Sequence, residues 1–146
     1  MKKLLYSFFI ISSALVSAQK TAGTKLVVAD GVIGTVEMFT VNHKNAVQNS
    51  RTYTPANLPG NLKKFSAIAG SGLTEYQLKN GSGTIDRLAL YQLNEQFRLP
   101  KDTPVLINGT EVTDTSLLIY GDLLSSMKLT DYKGKKSVFV DTTLKK

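Results

Sequence analysis

Few residues in this 146-residue sequence could do chemistry, and those few are scattered. His43 is the only histidine and there is no cysteine, so neither a thiolate nucleophile nor a Cys/His metal site can be assembled. A general base would have to be that one imidazole, which lies in a stretch without apolar periodicity. Asp30, Asp86 and Asp114 could share a calcium ion only if the fold gathered them, because no oxygen-ligand spacing joins them. No G-x-S-x-G, no H-E-x-x-H and no phosphate-cradling loop followed by Lys-Ser/Thr occurs. The expectation is a non-enzymatic protein without metal or cofactor.

Three short patterns suit modification. Asn80-Gly81-Ser82 and Asn108-Gly109-Thr110 fit N-glycosylation, but Asn-Gly supplies the positive φ of a tight hairpin and both read better as turns. Asp141-Thr142-Thr143 is similar to an O-glycosylation acceptor of exported Bacteroidetes proteins. A basic cluster, Lys133, Lys135 and Lys136 with Lys145 and Lys146, is a candidate partner-binding surface for an anionic group. Nucleic acid is not expected there, since only Tyr132 and Phe139 lie nearby as stacking partners.

Those residues must be positioned by an exported domain. Lys2 and Lys3, the apolar run from Leu4 to Val16, and Val16-Ser17-Ala18 read as a signal peptide over residues 1–18, cleaved after Ala18. Losing Lys2 and Lys3 lowers the formal charge from +7 to +5, still basic. The remaining chain is long enough for one packed core and has no disulfide to staple it.

Residues 19–60 read as a polar leader, a β-hairpin and a mobile loop. Lys25–Ala29 and Val32–Val41 are β-rich and flank Asp30-Gly31, whereas Asn42–Asn61 is broken by Pro55, Pro59 and Gly60. From Asn61, the residues Leu62, Phe65, Ile68 and Ala69 fall on one face of a short helix that Asn61 could cap. Leu73–Lys79 reads as a strand. Thr84–Gln92 fits a helix or a strand equally. PVLI before Asn108-Gly109 is a strand, a helical pattern spans Leu117–Leu124, and Met127–Tyr132 alternates as a strand should. Val138 and Val140 with Phe139 are apolar on both faces, so the last strand belongs inside its sheet.

In order and spacing, residues 61–146 resemble the plug domain of TonB-dependent outer-membrane receptors of the Bacteroidetes glycan-importing type. FSAIAGSGLTEYQL occupies the place of the family's helix and strand, and NGSGTIDRLALY that of a turn and short strand. PVLINGTEV matches its proline–strand–turn, with Asn108 where the family has aspartate. LLSSMKLTDYK and VFVDTTLKK match its last strands. The resemblance makes Thr84–Gln92 a strand and residues 61–146 a plug-like α+β domain, a small mixed sheet with two or three short helices. The barrel of such receptors is not in this sequence, and the family's alanine-rich, tyrosine-glycine segment is replaced by Tyr132-Lys133-Gly134-Lys135-Lys136.

A free-standing plug-like module is therefore expected, exported to the periplasm or beyond. It would bind an envelope protein or glycan, with peripheral association with the outer membrane. The alternative is a structural or assembly component of an envelope complex. Receptors of this type also carry an apolar segment ahead of the plug that joins a partner's sheet. Lys25, Leu26, Val27 and Val28 sit where that segment would, and are the second candidate partner site.

Overall fold

The computed structural model describes residues 25–81 and 83–144. The expected signal peptide, the expected leader before Lys25, and the candidate residues Lys145 and Lys146 lie outside the described residues. Among the described residues, ten strands and two short α-helices make an α+β fold with two mixed sheets and no closed barrel.

The chain begins with the expected hairpin. Strands β1 (Leu26–Ala29) and β2 (Val32–Thr35) pair antiparallel, with Ala29 opposite Val32. Asp30 (φ 50°) and Gly31 (φ 77°) take the two left-handed positions that such a two-residue turn requires. The β-rich run does not continue to Val41. Thr35 stops the strand by accepting the amide of Met38 at 3.0 Å, and α1 (Val36–Asn42) follows.

Residues Asn42–Asn61, expected to be a mobile loop, contain β3 (Val47–Tyr53) and a 3-10 turn at Pro55–Asn57. Strand β3 escapes a pattern search because its five central residues are polar and exposed, leaving only Val47 and Tyr53 at its ends against the core. A 3-10 helix, Gly60–Ile68, replaces the expected α-helix and buries Leu62 and Phe65. Pro59 precedes it, and Asn61 does not cap it.

Next come β4 (Leu73–Leu78), β5 (Arg87–Ala89) and α2 (Leu90–Gln96). Thr84–Gln92 is thus part strand and part helix, the change falling where the Gln92 side chain accepts the Ala89 amide at 2.8 Å. Strands β6 (Val105–Ile107) and β7 (Thr110–Val112) flank Asn108 (φ 52°) and Gly109 (φ 91°). The expected helix over Leu117–Leu124 is instead β8 (Leu118–Tyr120) and one 3-10 turn at Gly121–Leu123. Its leucines and isoleucine find a sheet edge to join, and tertiary pairing overrides their helical spacing. Strands β9 (Met127–Tyr132) and β10 (Lys135–Val140) close the chain across Lys133-Gly134.

The two sheets repeat one plan. In the first, β4 runs parallel to β1 and carries β3, giving β3-β4-β1-β2. In the second, β10 runs parallel to β6 and carries β9, giving β9-β10-β6-β7. Even the register agrees. The last residue before each turn, Ala29 or Ile107, lies beside Tyr76 or Val140 on the parallel strand. The segments VVADG and VLING occupy equivalent places.

The units are joined by β8, which leaves the second unit to run parallel to β2 of the first, with β5 outside it. The first sheet thereby has six strands, ordered β3-β4-β1-β2-β8-β5. Within residues 25–60, β1, β2 and β3 thereby share one sheet with β4, β5 and β8.

One continuous core unites both units, running from Val27 and Ile33 through Phe65 and Leu93 to Val138 and Val140. On one face of the first sheet Phe39 meets Tyr76 edge-on at 5.3 Å and Tyr120 at 5.7 Å. Gly34 makes room for these rings. A Cβ there would lie 3.0 Å from Phe39 Cε2 and 3.1 Å from Tyr120 Cδ2. Gly34→Ala is expected to destabilise the protein by about 1–3 kcal/mol, read as a lower urea midpoint at unchanged m.

Candidate functional site

The lysine cluster lies on the β9–β10 hairpin. Lys133 Nζ donates to Glu111 Oε1 at 3.2 Å and Lys136 pairs with Asp131 at 3.0 Å, while Lys135 is exposed. The Glu111 carboxylate accepting its hydrogen bond pushes the Lys133 ammonium above the usual lysine range. Two of the three described lysines thus already have a carboxylate partner, although such exposed pairs hold weakly.

The other sequence candidate is placed differently. Strand β1 lies between β2 and β4, with Val27 and Val28 fully buried. Both of its edges are hydrogen-bonded along Val27–Ala29, so Val27 and Val28 have no open edge to add to a partner's sheet in this fold, contrary to the expectation. Lys25 and Leu26 lie just ahead of the β4 pairing.

His43 follows α1 and is not in a loose loop. Its Nε2 lies 2.8 Å from Asp122 Oδ2, to which Asn42 Nδ2 also donates at 3.0 Å. Asp122 belongs to the 3-10 turn after β8, so this cluster ties α1 to the strand that bridges the two units. Among the described residues no three His, Cys, Asp or Glu side chains come together as a metal set.

Of the modification patterns, Asp141-Thr142-Thr143 is not presented to an enzyme. Thr142 is fully buried, its amide donating to Asn108 Oδ1 at 3.0 Å and its hydroxyl accepting from Asn108 Nδ2 at 2.8 Å. Asn108 is likewise engaged in holding the chain end. Asn108→Ala removes both bonds and places alanine at positive φ, so a loss of about 2–4 kcal/mol is expected in chemical denaturation.

The most ligand-like surface was not visible in the sequence. On β3, β4 and the β1–β2 turn, Asn49, Arg51, Glu75, Gln77 and Asp30 share one face. They line an open cleft of about 440 Å³. Arg51 stands directly opposite Glu75, yet no ion pair joins them among the described residues. The remaining contacts are long, with Asn49 Nδ2 at 3.4 Å from Gln77 Oε1 and Asn61 Nδ2 at 3.5 Å from Glu75 Oε2. These groups therefore keep hydrogen-bonding capacity for something else. The guanidinium and amides donate, the carboxylates accept, and four of the five project from β3 and β4, with Asp30 on the adjoining turn.

A different cleft, of about 460 Å³, runs between the units from Leu26 and Thr74 to Asn108 and Thr110. Compared with protein-family profiles, curated proteins and solved structures, the chain matches none.

Proposed function

We propose that this is an exported, non-enzymatic binding module of the bacterial cell envelope, plug-like in design, that holds an envelope protein or glycan. The observation that carries the reading is the cleft at Arg51. Five polar side chains stand side by side on β3, β4 and the β1–β2 turn, donors beside acceptors, with their bonding capacity largely unspent. That arrangement suits holding a polar partner, since strands fix the spacing of the groups.

The plug-like part of the proposal is supported by the strands around Asn108-Gly109 and Lys133-Gly134, which form one small mixed sheet with β10 inside it. The alternative reading, a structural component of an envelope complex, is favoured by the two-unit repeat, because stacked units of one plan make a scaffold.

The test is affinity isolation of the tagged protein from cross-linked envelope of the producing cells. The binding module predicts a saturable complex that Arg51→Glu weakens and His43→Ala leaves unchanged. A fixed-stoichiometry membrane assembly insensitive to Arg51→Glu favours the structural alternative. Turnover of an ester, peptide or glycoside that is lost in His43→Ala would overturn both.

A further inference from the structure

We propose that β3 is the surface through which two copies of this chain associate, strand against strand, about a two-fold axis at Ser50. Among the described residues, β3 is an outer strand of the six-stranded sheet and pairs only with β4. An outer strand leaves a row of backbone N–H and C=O groups open to another strand, and proteins usually guard such edges with charge.

The internal repeat supplies the comparison. Strand β9 holds the equivalent position in the second unit, and it carries two charges in six residues, Lys128 and Asp131, with Lys133, Lys135 and Lys136 beside it. Strand β3 carries a single charge, Arg51, in seven residues, and its five central side chains are exposed. A register irregularity between Val47 and Asn49 disturbs only its beginning, leaving Asn49–Tyr53 regular. The protein guards one edge and leaves the matching one open.

The sequence of the open edge fits a second copy of itself. When two antiparallel strands are related by an axis normal to the sheet, facing residues share a face, so the axis must pass through a residue pair. Centring on Arg51 would set two guanidinium groups opposite each other, and centring on Asn49 runs into the irregular start of the strand. Centring on Ser50 sets a small hydroxyl against itself and places Arg51 opposite Asn49 of the other copy. Each guanidinium then arrives beside the cleft that contains the other copy's Asp30 and Glu75. Unlike charges meet across the seam, and the two clefts join along it. Pairing through β9 would cover Leu129, which is 42% exposed, but would carry the charged Lys128 and Asp131 of both copies into the seam.

The experiment is light scattering with size exclusion over a dilution series of the purified protein, up to its solubility limit. The wild type is expected to dimerise reversibly. Ser50→Lys and Ser50→Glu place like charges at the axis, and each is expected to weaken the dimer roughly tenfold or more. An equimolar mixture of the two should restore a dimer, whereas Leu129→Lys should leave dimerisation unchanged. A wild type that is monomeric throughout overturns the proposal. So do Ser50 variants that dimerise like wild type, or dissociation by Leu129→Lys instead. Should the Ser50 variants fail to fold, amide hydrogen exchange of the wild type decides. Protection of Asn49–Thr52 must rise with protein concentration, and concentration-independent protection contradicts the dimer.

Discussion

Tyr120→Ala is expected to lower the stability of this protein by about 4 kcal/mol, close to half of what a domain of this size usually has. Tyr120 is fully buried, packs edge-on against Phe39, and donates its hydroxyl to the Ala29 carbonyl at 2.9 Å. It sits on β8, so its ring and hydroxyl clamp the bridging strand onto the first unit. Removing the ring opens a cavity beside Gly34 and frees a buried carbonyl. Tyr120→Phe keeps the ring and is expected to cost only about 1 kcal/mol. Urea midpoints of the two variants give the comparison.

The same residue predicts a pH dependence. Burial pushes the Tyr120 phenol from 10.0 up to about 12, Arg87 opposing this and Asp30 adding to it. In the unfolded chain the phenol loses its proton near its ordinary value, while the folded chain retains it. The folded state therefore binds more protons between these values. The stability that Tyr120 contributes is intact below pH 10 and is lost as pH rises toward 12. The measurable quantity is a difference between two variants that share every other group. Wild type should lose about 2–3 kcal/mol more than Tyr120→Phe across it. Parallel curves would show that the phenol is not held protonated by burial.

Asn94→Asp is the second large effect, expected at about 3 kcal/mol or more at neutral pH. Asn94 is fully buried at the end of α2, and its Nδ2 donates to the carbonyls of Lys101 and Thr103 at 2.9 and 2.8 Å. These two bonds hold the turn that delivers the chain into β6. The substitution exchanges a double donor for an acceptor facing two acceptors in a site without water-like screening. At low pH the introduced carboxyl carries a proton and can donate to one carbonyl, so the deficit should narrow there. Thermal denaturation at pH 4 and pH 7 on the variant and the wild type, both roughly chosen to bracket a buried carboxyl, checks it.

How much of this was legible in the sequence follows from where each signal is stored. The turns were legible because Asp30-Gly31, Asn108-Gly109 and Lys133-Gly134 encode positive φ locally. The final strand was legible because Val138, Phe139 and Val140 declare two apolar neighbours. The helix expected over Leu117–Leu124 failed for a non-local reason, since Leu118–Tyr120 becomes a strand only when β2 is beside it. Strand β3 failed for the opposite reason, because an edge strand exposed on both faces has no alternation to read.

The site followed the same logic. Asn49, Arg51, Glu75, Gln77 and Asp30 are ordinary polar residues on three separate stretches, and only the β3-β4-β1 pairing puts them on one face. The repeat left a trace in VVADG and VLING, too short to stand out among other apolar runs. The lysines were found because they are clustered in sequence, yet the fold gives two of the three described ones a carboxylate partner.

The central claim is that this protein binds its partner at the Arg51 cleft and does not act chemically through His43. Amide chemical-shift mapping tests it most directly, with solubilised envelope from the producing cells titrated onto the isotope-labelled protein. The account predicts saturable shifts centred on Asp30, Asn49 to Arg51 and Glu75 to Gln77, with no change in the added material. Shifts centred on His43 and Asp122, accompanied by a newly formed product, would contradict it.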